Sequence, residues 1–265
     1  MKSTQLGRYL MGLVAMALGI QSVWLKIYVG RLQPVPDWMP GHDAIAIVTG
    51  IFLIAVGACI LSGKWSRFAA TLLAGMLLLW VVVLYLPVVF RTPGAWLGTF
   101  ETFAVFGGAW VLAAVLPVNE TRRAAWDGLV DRGVTLGRLC FGISLPVFGI
   151  AHFIYHDFVA TWVPTWIPFP QFWAYFTGAA HIAAGVAIVV NVMPRLAATL
   201  AAVMYGSWVL IVHIPRVAAA VHDAFEWNGI FVATALCASA LLVAGTSADA
   251  ATSPAIGAGR VDMPE

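Results

Sequence analysis

The sequence predicts an all-α integral membrane protein: eight transmembrane helices arranged as two parallel four-helix repeats. Three observations carry this. Hydrophobic residues make up 62% of the chain and charged residues 10%, against roughly half and a quarter in soluble domains. A soluble core cannot use that much apolar surface, whereas a helical bundle in lipid needs it on its outer face. The apolar residues fall in eight continuous runs, each near or beyond the ~20 residues that cross a bilayer, which excludes the alternating pattern of a β-barrel. Finally, the chain repeats itself: Trp38-Met39-Pro40 returns 128 residues later as Trp166-Ile167-Pro168.

The same offset carries Thr49-Gly50, Gly57, Arg67, Trp80 and Pro87 onto Thr177-Gly178, Gly185, Arg195, Trp208 and Pro215. Small slips align Gly7-Arg8 with Gly137-Arg138 and Phe100-Glu101 with Phe225-Glu226. One four-span unit, duplicated and fused, explains the pattern. In order, the spans are expected at about 8–30, 43–62, 66–90, 98–117, 137–160, 171–192, 195–220 and 226–246. The first is read as a true span and not a cleaved signal, because it aligns with an internal span of the second copy. The domains expected are repeat one over 1–118, a cytoplasmic linker over 119–136, repeat two over 137–246, and a disordered Ala/Ser/Gly/Pro-rich tail over 247–265. Glycines seven apart, Gly50 with Gly57 and Gly178 with Gly185, suit close helix packing.

Basic residues set the orientation. Ten of them, including Arg8, Lys64, Arg67, Arg138 and Arg195, fall on the side of the termini, against Lys26, Arg31, Arg91 and Arg216 on the other. The expectation is a multi-pass protein of the inner (plasma) membrane with both termini cytoplasmic. The net charge of +2 contains no basic block that would suggest nucleic acid. Cys59, Cys140 and Cys237 each fall inside a span, form no CxxC, and read as packing residues.

Chemistry is concentrated in the second copy. Its spans hold His152, His156, His181 and His213, with Glu226 at a rim. Repeat one has Ser22, Lys26, Leu53, Tyr85 and Glu101 at those places, so only the glutamate is shared. Ionisable groups at membrane depth are costly and by default mark function. His152 and His156, four apart, are expected on one helix face. His181, about 15 Å into its span, is expected at the floor of an outward-opening cavity lined by the others. Converging imidazoles suit a haem, a transition metal or a quinone. The plainer readings are that His156 sits at an interface and that Glu226 caps its helix. The Trp/Pro-rich loops at 34–40 and 162–170 read either as an interfacial rim or as a lid. No phosphate loop, nucleophile elbow or zinc-protease motif is present.

The stretch from Gly142 to Val189 resembles the DoxX family of four-helix membrane proteins. Gly137, Gly142 and Gly149 precede His152-Phe153; the Trp166-Ile167-Pro168 loop, Thr177-Gly178 and Gly185 follow. The resemblance spans about 137–246 and, more weakly, the first copy. It implies kinship with subunits of a thiosulfate:quinone oxidoreductase and with membrane redox complexes. It matches His152 to the family's His-Phe position and puts His181 where many members have glutamate. The doubled length departs from the family's single unit and suggests a fused dimer. Two functions stay open. One is a redox-linked membrane subunit holding a quinone or haem near His152, His181 and His213, with a membrane redox protein as partner. The other is a non-enzymatic carrier or assembly partner in the lipid bilayer.

Overall fold

The computed structural model describes residues 2–36, 38–92, 94–117 and 127–247. Within them the chain is all helical, and eight helices are long and apolar enough to cross a membrane. In chain order they are span 1 (Lys2–Leu25), span 2 (His42–Ser62), span 3 (Ser66–Tyr85), span 4 (Ala95–Val115), span 5 (Gly133–Ile154), span 6 (Pro170–Val189), span 7 (Pro194–Ala219) and span 8 (Ala224–Thr246). The expected tail and most of the expected linker lie outside the described residues. The rest of the linker forms a short helix, Asp127–Asp131, and joins span 5.

Span 1 packs on span 2 and span 5 on span 6; span 3 packs on span 4 and span 7 on span 8. Between the halves, span 4 lies against span 5, span 8 against span 1, and spans 4 and 8 touch. Glycines make the tightest contacts. A Cβ at Gly19 would collide with the Gly50 carbonyl, and one at Gly149 with that of Gly178. Gly12 with Gly57 and Gly142 with Gly185 repeat this two turns along. In lipid, where apolar burial between helices gains little, such close backbone approach supplies the packing energy.

A shared irregularity marks spans 3 and 7. Each ends in a π-helical turn, Val81–Tyr85 in one and Val209–His213 in the other. Pro87 and Pro215 follow two residues later, and a proline ring clashes with the carbonyl four residues before it. Widening the helix to i→i+5 bonds, such as Leu86 N–H to Val81 O at 2.9 Å, relieves that clash.

Several expected spans end early, spans 1 and 5 with consequences for the site. Span 1 stops at Leu25, with Lys26 at φ 53°, and the apolar residues that prolonged its run turn back into the bundle: Val29 and Leu32 are fully buried. Span 5 stops at Ile154; Tyr155 (φ −109°, ψ 32°) leaves the helix and a separate short helix, His156–Ala160, begins. His152 and His156 therefore do not share a helix face. Arg67, buried at the start of span 3, bonds the end carbonyls of span 4 (Ala113 O at 3.0 Å, Leu116 O at 3.3 Å) and Asp131 at 2.6 Å. That satisfies carbonyls a helix end leaves unpaired.

Candidate functional site

A cavity of about 940 Å³ lies among spans 5, 6, 7 and 8, with Glu101 and Leu97 of span 4 and Gly30-Arg31 closing one side. Its lining is chiefly apolar and aromatic, and His152, His181 and His213 all contribute to it. Trp162, Val163, Pro164 and Ile167 also line it, whereas Trp166 and Phe169 of the same loop are largely exposed. The loop is thus part wall and part rim. Phe176, Leu200 and Val203 line the cavity while more than half exposed on the bundle surface. The cavity therefore reaches the surface sideways between spans 6 and 7, and exposed Phe158 and Phe225 line it at the end toward which it was expected to open.

His181 is 1% exposed. Its Nδ1 lies 2.8 Å from the Thr177 carbonyl, one turn back on span 6, and the Tyr205 hydroxyl of span 7 donates to its Nε2 at 3.1 Å. The Thr177 hydroxyl donates onward to Trp173 O at 2.7 Å. His152 lies 2.8 Å by Nδ1 from the Phe148 carbonyl of span 5. Its ring centroid is 5.0 Å from that of His181 and 6.0 Å from the Trp208 ring, stacked at 19°. Gly178 makes this possible, because a Cβ there would press on the Cβ of His152. Spans 5, 6 and 7 thus bring His152, His181, Tyr205 and Trp208 into one cluster.

His213 sits apart from that pair, at the end of the π turn. It packs edge-on to Trp162 (centroids 5.9 Å), and its Nδ1 is buried against Gly229 without a hydrogen bond. The other two sequence-predicted residues lie outside the cavity lining. His156 stacks on Tyr175 at 5.2 Å and contacts Gln171 and Asp157. Glu226 pairs in bidentate fashion with Arg216 (2.8 and 2.6 Å). It does not cap span 8: the Asp223 carboxylate does, accepting from Phe225 N–H at 2.8 Å. Arg216 also lies 4.1 Å over the Trp162 ring and so holds the loop that walls the cavity.

Three cavity residues escaped the sequence reading. Tyr205 stands 128 residues after Leu77, so the polar-for-apolar exchange that flagged the histidines marked it equally well. Trp208 carried no such signal, since Trp80 occupies its place in the first half. Glu101 was set aside because both halves have a glutamate there. Yet it lines the cavity of the other half, with Oε1 on Arg31 at 2.6 Å and Oε2 buried without a partner. The site is not confined to the second half.

The corresponding place in the first half is filled. The void there is about 20 Å³, closed by Leu53, Leu77 and Trp80, by Leu32 of the turn Gly30–Leu32 and by Val29 just before it. A space of about 940 Å³ that opens at the bundle surface is large enough for a lipid chain or a small ligand.

The family model of DoxX matches residues 133–214. The match runs from the start of span 5 through the π turn of span 7. It takes in His152, His156, His181 and His213 and stops short of Glu226. No curated protein and no solved structure matches the chain.

Proposed function

We propose that this membrane protein, whose residues 133–214 form a DoxX domain, binds a lipid-soluble ring molecule of the quinone class in the cavity beside His152 and His181. The observation that supports it most is the aromatic, sideways-open space with its polar cluster at one end. A membrane-borne ligand enters from lipid between spans 6 and 7, stacks against aromatic walls, and meets imidazole. Such a ligand brings two-electron redox chemistry, and the chain's own part is to hold and orient it. Haem fits less well. Bis-imidazole ligation needs both Nε2 atoms, and that of His181 is engaged by Tyr205.

The matching helix pairings and the π turns 128 residues apart support reading the chain as a duplicated four-helix unit. In that reading repeat one (1–118) supports repeat two (137–246), and a membrane redox protein is the partner that exchanges electrons with the bound ligand. The basic-residue asymmetry supports an inner-membrane location with both termini cytoplasmic. Reporter fusions after residue 118 and at the C-terminus should both read cytoplasmic; a signal from the far side at either would overturn that orientation.

The ligand is tested on the purified protein. Organic extraction should yield quinone near one per chain, and a short-chain quinone should quench tryptophan fluorescence saturably. A Soret band would replace the reading by haem. Saturable binding without any exchange of electrons with membrane redox proteins would leave a carrier instead. Absence of both extractable quinone and saturable quenching would sink it.

A further inference from the structure

We propose that the cavity takes its ligand in the hydroxyl-bearing form, a quinol in preference to the matching quinone; this deepens the reading above and rests on it. The argument follows the protons. His152 and His181 each place Nδ1 at 2.8 Å from a backbone carbonyl. A carbonyl oxygen only accepts, so Nδ1 carries the proton in both rings, and in the neutral imidazole Nε2 is left as an acceptor. The lone pair of His181 is taken by the Tyr205 hydroxyl. That of His152 has no hydrogen bond among the described residues, and the side chain lines the cavity.

The neighbouring hydroxyls are committed in the same sense. Tyr205 donates to His181, Thr177 to Trp173 O, and Ser207 to Met204 O at 2.7 Å. What these groups keep for a ligand is lone pairs. The face of the cluster formed by His152, His181, Thr177 and Tyr205 is therefore an accepting surface, which an O–H satisfies and a carbonyl oxygen does not. A carbonyl ligand would depend instead on the indole N–H groups of Trp162 and Trp208, the Tyr155 hydroxyl, or Arg31, already paired with Glu101. The chain fixes this polarity through backbone carbonyls of spans 5 and 6, so it does not relax when a ligand enters.

Tighter binding of the reduced form shifts the bound couple to a higher reduction potential, by about 30 mV for each tenfold preference in a two-electron couple. The site would then hold quinol and favour reduction of an incoming quinone.

The experiment measures fluorescence quenching of the full chain in nanodiscs, anaerobically, with three probes: a decyl hydroquinone, the decyl quinone, and the hydroquinone dimethyl ether. The ether keeps the ring and tail but has no donor. The hydroquinone should bind roughly 5- to 10-fold more tightly than either, the range one hydrogen bond supplies. In His152→Phe, which keeps an aromatic ring beside Trp208, the three affinities should converge. Equal affinities in the wild type, or a quinone preference, would overturn the donor selection while leaving the cavity reading intact. A hydroquinone preference that persists in His152→Phe would remove His152 as its source and overturn the assignment. Failure of all three probes to bind would overturn both readings.

Discussion

The two halves of this chain pair their helices in the same order and differ in what they enclose. In the first half the space among spans 1 to 4 is closed by Leu53, Leu77 and Trp80 and by a segment that folds back into it, with Val29 and Leu32 at its base. The Tyr85 hydroxyl, at the end of the π turn, donates to the Arg31 carbonyl and pins that segment; the Thr102 hydroxyl reaches Leu32 O at 3.4 Å. In the second half the residue 128 positions after Tyr85 is His213, which packs on Gly229 and Trp162 and makes no such tie. The segment after span 5 is drawn instead into the helix His156–Ala160, and Trp162 is held under Arg216. Leu53 and Leu77 give way to His181 and Tyr205, which bond each other. One half is a filled bundle and the other a lined cavity, and the difference lies in a handful of side chains and one loop path, not in the helix framework.

The largest test of that contrast removes the plug. Leu32→Ala should cost roughly 2–3 kcal/mol, because in a bundle held by packing the truncated side chain leaves contacts unmade. Val163→Ala, at the cavity wall of the second half, should cost well under about 1 kcal/mol, since its neighbours already face open space. Thermal unfolding in detergent at fixed composition compares them. Equal losses would mean that the second cavity closes in the membrane and that the contrast between the halves is not real.

Much of the framework was legible in the sequence because composition and periodicity act locally. Eight apolar runs of sufficient length become eight helices, and the glycines seven apart became the points of closest approach. Span ends were less legible. Val29 and Leu32 prolong an apolar run, and only tertiary packing decides that they turn inward as a plug rather than continue a helix. His181 and His152 were found by comparing the halves, and Tyr205 was open to the same comparison. Glu101 was not, because its role depends on which helices of the two halves meet. A cavity lined by histidines was expected, and His152, His181 and His213 do line one; its volume and its wall from span 4 could not be read, since an absence of filling is a property of packed side chains and not of any one residue.

A smaller effect tests whether the polar cluster was exchanged as a unit. His181→Leu copies the first half at that position but leaves the buried Tyr205 hydroxyl without its acceptor. An unmet buried hydroxyl costs about 1–3 kcal/mol, and part of this is returned by the better fit of leucine among apolar neighbours, so a net loss of about 1 kcal/mol is expected. Adding Tyr205→Leu removes the stranded hydroxyl and reproduces the Leu53 and Leu77 pair. The double variant should then recover most of the stability, and the cycle should show a coupling of about 1 kcal/mol between the two sites. Ligand binding should behave differently. It should be weak in His181→Leu and remain weak in the double variant, because the ordered cluster beside His152 is gone in both. Additive stability losses would show that the hydrogen bond at 3.1 Å contributes nothing in the membrane. Full binding by the double variant would show that the pair is a packing solution alone, and that recognition in the cavity lies elsewhere.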